Sequence, residues 1–292
     1  MSARVRRVGI LGHTGRPGVQ CAAARLRTML ARRGCVVRME SGLAREMGQT
    51  GAPIAALATW CQVLIALGGD GTTLHGARAM AGRPGALLPV NLGGLGFLTV
   101  AEEGELGDAT REAFAGRWPV VRRRLIGAVV RRRGRVVHRS RAMNDAVVKT
   151  AGGYSALHLR LAVLGHDLGH LVADGVVCAS ASGSTAYSLS AGGPVLAPDV
   201  EAFVVTPVCA HTLGSRPLVL SPEGQVTLRV LGSFDRAMLL FDGQDHVDLM
   251  AGDEITVGLT RATVRVYQNP ARPFGQSLQA KLGWQGSERR SL

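Results

Sequence analysis

The sequence predicts two domains, an α/β domain in the N-terminal part of the chain and a β-rich domain after it. Strands that alternate with helical patterns up to residue 118 indicate a parallel sheet with helices on its faces. From Pro119 onward, short strands separated by turn signals predict an all-β domain. A length of 292 residues also favours two cores. We therefore predict an N-terminal domain at residues 1–118, a β-rich domain at 119–267 and a tail at 268–292 that packs back on the first domain.

The composition narrows the class of protein. With 46% hydrophobic and 19% charged residues, the chain resembles an ordinary soluble globular protein, and no apolar run approaches the roughly 20 residues of a membrane-spanning helix. Because Val8–Leu11 is too short for the core of a signal peptide, we expect a cytoplasmic protein without a membrane partner. The net charge of +13 comes almost entirely from arginine, and only 4% of residues are aromatic. This favours an anionic small substrate with several phosphates over nucleic acid.

Cysteine and histidine give no metal or disulfide pattern. The five cysteines are scattered, and none forms a Cys-x-x-Cys pair. His166, Asp167 and His170 suggest a metal, but on a hairpin the two histidines need not converge, so we predict no metal-ligating residues. Four cysteines lie in or beside apolar runs and are interpreted as small core residues: Cys35, Cys61, Cys178 and Cys209.

Each element of the first domain has its own signal. Apolar runs of strand length alternate with stretches whose apolar residues recur at helical spacing. The glycines of Gly12–Gly18 are spaced G-x-x-G-x-x-G, which is not the dinucleotide fingerprint. In order, we predict a strand at Val5–Leu11, a helix at Val19–Arg33, a strand at Cys35–Met39, a helix at Leu43–Met47, a segment at Ile54–Trp60 that leads into a strand at Val63–Leu67, a helix through Met80 and a strand at Ala86–Val90.

The most informative stretch is the turn after the strand Val63–Leu67. Gly68-Gly69-Asp70-Gly71 places one acidic residue at the carboxyl end of a buried strand, where open α/β sheets bind their ligands. Glycines let a phosphate approach the backbone N–H groups, and the next helix, with Thr72 or Thr73 as its expected cap, adds partial positive charge. A carboxylate repels phosphates unless it holds a metal or takes a proton, so Asp70 is predicted to act in chemistry. The alternative is an ordinary strand-to-helix turn that Asp70 caps.

Two further stretches point to a ligand site. Residues 91–98 form a second glycine-rich turn after a strand, and two such turns at strand ends can line one crevice. Asp174–Pro194 is rich in small residues, hydroxyls and glycine, with one aromatic residue, Tyr187. Small residues admit a ligand, hydroxyls bind it and the ring stacks on it, as in a nucleoside pocket. The alternative is a flexible linker.

The second domain is predicted from short apolar runs. Hairpin turns are expected at residues 131–135 and 165–167, and no element pattern covers 269–292. The predicted strands are Val120–Val130, Arg135–Ser140, Ala146–Thr150, Leu157–Leu164, Leu168–Ala173, Val176–Ala179, Phe203–Cys209, Leu218–Leu220, Val226–Leu231, Ala237–Phe241, Ile255–Val257 and Arg261–Val266.

Taken together, these stretches resemble the NAD kinase family over most of the chain. The Gly-Gly-Asp-Gly turn alone also occurs in lipid kinases of the diacylglycerol and sphingosine type, whereas the string Gly183–Pro194 is highly specific to this family. The matching motifs follow the family's order: Gly68–Thr72, Asn91–Phe97, Asn144-Asp145, Asp174-Gly175, Gly183–Pro194, His211–Leu213 and Arg216–Leu218.

The resemblance implies a fold and a reaction. It implies an N-terminal α/β domain with a Rossmann-like parallel sheet, a β-rich C-terminal domain and an active site between them. NAD kinases transfer a phosphoryl group to the 2′-hydroxyl of the adenosine ribose of NAD, giving NADP, with Mg²⁺ or another divalent cation. The donor is ATP or, as an open alternative, also polyphosphate. The small-molecule partners are then NAD and ATP, and a homodimer or homotetramer is implied.

The resemblance also assigns roles residue by residue. Asp70 matches the family's catalytic base. Asn144 and Asp145 match an Asn-Glu pair that contacts the dinucleotide, but Asp145 is one methylene shorter, so it reaches a different hydroxyl or acts through a water. The other residues implied to contact NAD or ATP are Gly68, Gly69, Gly71, Thr72, His75, Asp174, Thr185, Ala186, Tyr187, Ser188, Leu189, Ser190 and Gln244.

Three other functions remain open on the sequence alone. A lipid kinase would use the same Gly-Gly-Asp-Gly turn, but it needs an apolar acyl-chain cleft, which the hydroxyl-rich stretch 183–190 does not suit. A non-catalytic NAD-binding protein or a nucleic-acid-binding protein would use the positive charge. A protein that only binds gains nothing from the carboxylate of Asp70 beside phosphates.

Overall fold

The structure, a computed structural model, describes residues 5–94, 96–152, 156–212, 214–232 and 236–283. These residues form two compact units. Unit 1 contains the described residues of Met1–Gly76, Arg83–Val121 and Arg265–Leu292, and unit 2 those of Ala77–Gly82 and Arg122–Val264. Leu95 and Leu213 of the matching motifs, and the tail beyond residue 283, lie outside the described residues.

The first part of the chain alternates strands and helices, as the sequence predicts. Short 3₁₀ turns accompany the elements at Glu103–Glu105 and Ser182–Thr185. Within the described ranges, no helix combines the length and hydropathy needed to cross a bilayer. In chain order, the first elements are β1 (Arg7–Gly12), α1 (Val19–Arg32), β2 (Val36–Met39), α2 (Ser41–Glu46), α3 (Ile54–Trp60), β3 (Val63–Gly68), α4 (Asp70–Met80), β4 (Ala86–Asn91), β5 (Ala101–Glu102) and α5 (Leu106–Phe114).

Unit 1 is built on a parallel sheet in the order β2-β1-β3-β4. Strands β3 and β4 are buried along their whole length, as expected when helices cover both faces. The chain places β2 on one side of β1 and β3 on the other, so the strand order reverses between β1 and β3. The loops that follow these two strands therefore meet at a switch point, which is where open α/β sheets bind ligands.

The remainder of the chain is β-rich. The two separate strands that the sequence predicts near the C-terminus are one long strand. Three elements have no counterpart among the predicted ones: Tyr187–Ser190, Asp245–Leu249 and Phe274–Leu282. The elements are β6 (Val120–Arg132), β7 (Arg135–Ala142), β8 (Asp145–Thr150), β9 (Leu157–Val163), β10 (His166–Ala173), β11 (Gly175–Ser180), α6 (Tyr187–Ser190), β12 (Phe203–Val208), β13 (Leu218–Leu220), β14 (Gln225–Gly232), β15 (Ala237–Phe241), β16 (Asp245–Leu249), β17 (Glu254–Tyr267) and α7 (Phe274–Leu282).

Unit 2 contains two sheets that share one core. One sheet has the order β10-β9-β14-β17, with β6 and β7 beyond β17, and the other has the order β13-β12-β11-β8-β15-β16. Ile126 and Leu228 from the first sheet and Phe203 and Phe241 from the second belong to the same buried cluster. Two sheets that interdigitate inner-face side chains in this way form a sandwich. The predicted fold class, an α/β domain followed by a β-rich domain, is confirmed.

Three local predictions are wrong. Helix α4 begins at Asp70, so Thr72 and Thr73 lie inside its first turn and neither is its cap; the Thr73 hydroxyl instead donates to the Gly69 carbonyl at 3.2 Å. Cys209 is exposed rather than part of the core, because β12 ends at Val208 and the chain turns there with a φ of 47° at Cys209.

The third error concerns the end of unit 2. Ile255–Val257 and Arg261–Val266 are not separate strands but parts of β17. A glycine at position 258 favours an interruption between two strands, yet Gly258 pairs with Gln225 of β14. The Thr260 hydroxyl donates to the Leu125 carbonyl at 3.1 Å. Pairing with distant strands therefore carries the strand through a glycine.

The described part of the C-terminal tail contacts residues of unit 1. The Asn269 amide donates to the Val100 carbonyl at 3.0 Å, and Arg272 donates to Glu105 at 3.0 Å. Leu278 of α7 is buried. The predicted limits of the domains and of the tail stay a prediction.

Candidate functional site

Asp70 stands at the first position of α4, directly after the buried strand β3. Its two carboxylate oxygens accept hydrogen bonds from the backbone N–H groups of Phe97 and Leu98, at 3.1 and 3.2 Å. The carboxylate is half-buried. Asp70 therefore has one fixed orientation, and it joins the first glycine turn to the second.

The second glycine turn is shaped to receive this carboxylate. A Cβ on Gly96 would overlap the Asp70 side chain, so only glycine allows this approach. The Asn91 side chain holds the turn through hydrogen bonds to the Gly93 N–H at 3.0 Å and the Gly94 carbonyl at 2.5 Å. The Gly96 N–H donates to the Thr99 hydroxyl at 3.1 Å. The two turns that the sequence predicts to line one crevice are thus in contact.

The remaining predicted residues of unit 1 lie along the same turn and helix. Gly68 ends β3, Gly69 is half-buried and Gly71 is exposed. Thr72 is buried, and its hydroxyl oxygen is one of few buried side-chain atoms among the described residues without a hydrogen-bond partner. An unpaired buried polar atom costs about 1–3 kcal/mol of stability. His75 is half-buried one turn further along α4.

In unit 2, Asp145 begins β8 and Asn144 directly precedes it, and a residue that sequence reasoning missed holds them both. The carboxylate of Asp242 accepts the backbone N–H groups of Met143 at 3.0 Å, Asn144 at 2.7 Å and Asp145 at 3.3 Å. The Asp242 side chain is fully buried, and Arg78 lies 3.9 Å from it. Asp242 therefore fixes the backbone that presents both predicted NAD contacts.

The side chains of this pair are buried and incompletely satisfied. Asn144 is 8% exposed, and its side-chain oxygen has no hydrogen-bond partner among the described residues. Burial, together with the nearby negative charge of Asp242, raises the pKa of Asp145 to about 7. Burial also raises the pKa of Asp242, against the effect of its backbone hydrogen bonds and of Arg78. Because those bonds favour ionised Asp242, Asp145 is the first of the two carboxylates to be protonated.

Gln244 belongs to the same cluster. It lies in the exposed turn after β15, and its side-chain oxygen accepts a hydrogen bond from Arg78 at 3.0 Å. Arg78 also donates to the Phe241 carbonyl at 3.4 Å. Arg78 thus links two sequence-distant elements, and neither Arg78 nor Asp242 carries a motif signal of its own. A spacing between Asn144 and Asp242 that is close to a hundred residues hides this contact from local patterns.

The hydroxyl-rich loop has two kinds of residue. The Ser188 side chain is fully buried and shares a hydrogen bond of 2.8 Å with the Thr206 hydroxyl, which gives the Ser188 hydroxyl a role within the fold. Thr185 donates to the Ser182 carbonyl at 3.3 Å. By contrast, Tyr187 is 42% exposed. Ala186 and Leu189 are half-buried and Ser190 is exposed.

The negative charge of Asp174 is one of the effects that raise the pKa of Tyr187. The thiol of the exposed Cys209 donates to the Asp174 carboxylate, and this hydrogen bond raises the pKa of Cys209. Burial raises the pKa of Tyr187, and the negative charges of Cys209, Asp174 and Asp145 add to the effect. The structure therefore brings Asp145, Asp174 and Tyr187 of unit 2 into one neighbourhood.

The residues considered for a metal are engaged otherwise. Asp167 pairs with Arg160, and the rings of His170 and His158 approach to 3.2 Å between nitrogens. Across the described ranges, no group of three or more His, Cys, Asp or Glu side chains is arranged to hold a metal ion.

Comparison with known families identifies both halves of the chain. The model of the ATP-NAD kinase N-terminal domain matches residues 8–118. The model of the ATP-NAD kinase C-terminal domain matches residues 143–268. Together the two matches span most of the sequence.

Individual relatives match over nearly their whole length. The chain is 34% identical to NAD kinase of Geobacter metallireducens, over 96% of this chain and 99% of that protein. It is 36% identical to NAD kinase 2 of Streptomyces coelicolor, over 97% of this chain and 98% of that protein.

Solved structures agree with these matches. Yeast NADH kinase in complex with NADH has a TM-score of 0.91 at 26% identity, covering 100% of this chain and 91% of that one. An NAD kinase from Archaeoglobus fulgidus in complex with ATP has a TM-score of 0.76 at 23% identity, covering 96% of this chain and 100% of that one. The second match supports the fold alone.

Proposed function

The chain belongs to the NAD kinase family, and on that premise we propose that it transfers a phosphoryl group from ATP to the 2′-hydroxyl of the adenosine ribose of NAD, giving NADP. The observation that carries the proposal is the placement of Asp70. A carboxylate with both oxygens held by backbone N–H groups stands in a glycine turn at the end of a buried parallel strand. Such a group is oriented for a hydroxyl that attacks a phosphate.

Orientation is what this reaction requires. Phosphoryl transfer passes through a loose transition state, so positioning and charge neutralisation contribute more than covalent chemistry. The glycines of the turn, Gly68, Gly69 and Gly71, would let the donor's phosphates approach the backbone, while Asp70 would accept a hydrogen bond from the attacking hydroxyl and take its proton as the new bond forms. In a loose transition state the proton leaves late, so a weakly basic carboxylate is sufficient.

The NAD contacts are proposed for unit 2. The unpaired side-chain oxygen of Asn144 supports a role as an acceptor for a ligand hydroxyl or amine. Asp145 would bind a ribose hydroxyl, and the exposed ring of Tyr187 would pack on the base or ribose. We propose ligand contacts also for Asp174, Thr185, Ala186, Leu189, Ser190 and Gln244, and a phosphate contact for His75.

A divalent cation, Mg²⁺ in our proposal, fits these residues in one way. The described residues hold no cage of three or more metal-ligating side chains. Mg²⁺ commonly keeps several waters and binds through substrate phosphates and one or two carboxylates, and Asp70 is the carboxylate beside the proposed phosphate site. When bound, the ion neutralises charge on the transferred phosphoryl group.

The test is formation of NADP from NAD, ATP and Mg²⁺ by the purified protein, read with an NADP-specific dehydrogenase. The wild type should form NADP, and activity should disappear with a chelator and return with excess Mg²⁺. Replacing ATP with polyphosphate identifies the donor. No NADP from a folded protein that still binds NAD would contradict the proposal and favour a binding role.

Assembly and location are further parts of the proposal. We propose a cytoplasmic homodimer or homotetramer with domains at 1–118 and 119–267 and a tail at 268–292. Light scattering on the purified protein measures the assembly directly, and a monomeric mass at assay concentrations would contradict it.

A further inference from the structure

The loop between β1 and α1, Gly12–Gly18, stands at the switch point of the parallel sheet. The His13 N–H donates to the Leu67 carbonyl of β3 at 3.1 Å, and the Arg16 N–H donates to the His13 carbonyl at 3.0 Å. These bonds fix the loop beside β3, the strand that precedes Asp70. No motif in the sequence singles out a residue of this loop.

The Arg16 side chain lies against both glycine turns. A Cβ on Gly69 would stand 3.1 Å from one terminal nitrogen of Arg16, and a Cβ on Gly93 would overlap the other. Gly69 precedes Asp70, and Gly93 belongs to the turn whose later residues bind the Asp70 carboxylate. The Arg16 guanidinium therefore lies against the backbone of both glycine turns, the one after β3 and the one after β4.

This cation has no anionic partner within the described part of the chain. Some arginines of unit 1 pair with carboxylates, as Arg25 does with Glu103 and Arg272 with Glu105, but no ion pair among the described residues involves Arg16. Arg16 is also half-buried, so it gives up part of its hydration without a counter-charge. An anion would supply that charge.

We propose that Arg16 binds the terminal phosphates of the nucleoside triphosphate, an assignment that rests on the proposed function. The planar guanidinium presents a fork of N–H donors that matches phosphate oxygens. It does so beside two glycine turns, Gly69 in one and Gly93 in the other, at the carboxyl ends of parallel strands. Arg16 is the one arginine or lysine of the loop Gly12–Gly18. It would stabilise the negative charge that shifts between the phosphate oxygens during transfer.

The first test replaces Arg16 and separates the two substrates. Arg16→Gln should raise KM for ATP by about 10- to 100-fold, the usual effect of losing hydrogen bonds to a charged group, and should leave KM for NAD within about twofold. Arg16→Lys should recover part of the loss, because it keeps the charge but not the fork. An unchanged KM for ATP, or an equal rise for NAD, would overturn the proposal.

The second test uses the glycine beneath the guanidinium. Gly93→Ala should displace Arg16 and raise KM for ATP, and combining it with Arg16→Gln should add little further effect, because both changes remove the same contact. Additive effects would contradict a shared cause. Two controls are matched: Arg32→Gln removes the same charge at the far, exposed end of α1, and Gly107→Ala adds a Cβ in α5 that meets only the Met29 sulfur, at 3.9 Å. Both should behave as wild type.

A binding measurement keeps this inference distinct from the proposed function. Inorganic tripolyphosphate is titrated calorimetrically into wild type and Arg16→Gln, each checked for folding by thermal denaturation. The wild type should bind it and the variant should bind it about 10-fold or more weakly. Equal binding, or no binding to either protein, would overturn the role of Arg16, whereas absence of NADP formation with intact tripolyphosphate discrimination would overturn only the proposed reaction.

Discussion

Asp70 in unit 1 and Asp145 in unit 2 are both carboxylates at proposed ligand contacts, and their surroundings differ. Asp70 is half-buried, with both oxygens bonded to backbone N–H groups. Asp145 is buried next to a second carboxylate, and its pKa is raised to about 7. The backbone thus controls the orientation of Asp70, while burial controls the protonation of Asp145. We infer that the first is arranged for catalysis and the second for recognition of NAD.

The largest expected effect comes from Asp70→Asn. The amide cannot take a proton, so kcat should fall by about 10² to 10⁴. One backbone N–H would face the new amide nitrogen, and stability should fall by only about 1–2 kcal/mol. Steady-state kinetics and urea unfolding measure the two effects. Turnover near the wild-type rate would remove Asp70 from the chemistry.

Asp242→Ala should instead act on stability and on NAD together. It leaves the N–H groups of Met143 and Asn144 without their acceptor and Arg78 without its nearby charge, so the free energy of unfolding should fall by about 3–5 kcal/mol. KM for NAD should rise more than KM for ATP. Asp242→Asn keeps one acceptor oxygen. Its free energy of unfolding and its KM for NAD should therefore lie between those of the wild type and of Asp242→Ala.

A surface carboxylate provides the control for that experiment. Asp248 pairs with Arg236, and both side chains are substantially exposed. Asp248→Ala should change stability by less than about 1 kcal/mol. A loss of stability equal to that of Asp242→Ala would show that burial does not determine how much these two carboxylates contribute to stability.

The raised pKa of Asp145 predicts a dependence of stability on pH. The folded state binds this proton more tightly than the unfolded chain, in which the pKa is near 3.8. Its contribution is therefore fully present below about pH 4 and is lost as the pH rises to about 7. Between pH 5 and 8, Tm should fall more for the wild type than for Asp145→Asn. Parallel curves for the two proteins would show that Asp145 does not titrate in this range.

The smallest effects separate two neighbours in the hydroxyl-rich loop. Tyr187→Ala should weaken NAD binding by about 5- to 10-fold, the value of one aromatic contact, with little change in stability because the ring is 42% exposed. Ser188→Ala should reduce the free energy of unfolding by about 1–2 kcal/mol, because Thr206 loses its buried partner. The opposite pattern would show that Ser188, rather than Tyr187, meets the ligand.

How far the sequence could predict these features depends on the distance over which they arise. The buried run of β3 and the turn around Asp70 are local patterns, and the structure has them where they were predicted. The hydrogen bond that the Asn144 N–H donates to Asp242 joins positions far apart in the chain, so no sequence periodicity indicates it. Arg16 was one of many arginines until the fold placed it against Gly93. Strand β17 runs through Gly258 because of its partners in β14, which a local signal cannot include.

The most direct test of the division of roles is calorimetric titration of NAD into Asp70→Asn and Asp145→Asn at pH 8, beside the wild type. At this pH Asp145 is largely ionised in the wild type, given its pKa of about 7. We predict that Asp70→Asn binds NAD within about threefold of wild type although it does not turn over, and that Asp145→Asn binds NAD about 10-fold more weakly. Loss of NAD binding in folded Asp70→Asn, with full binding in Asp145→Asn, would contradict it.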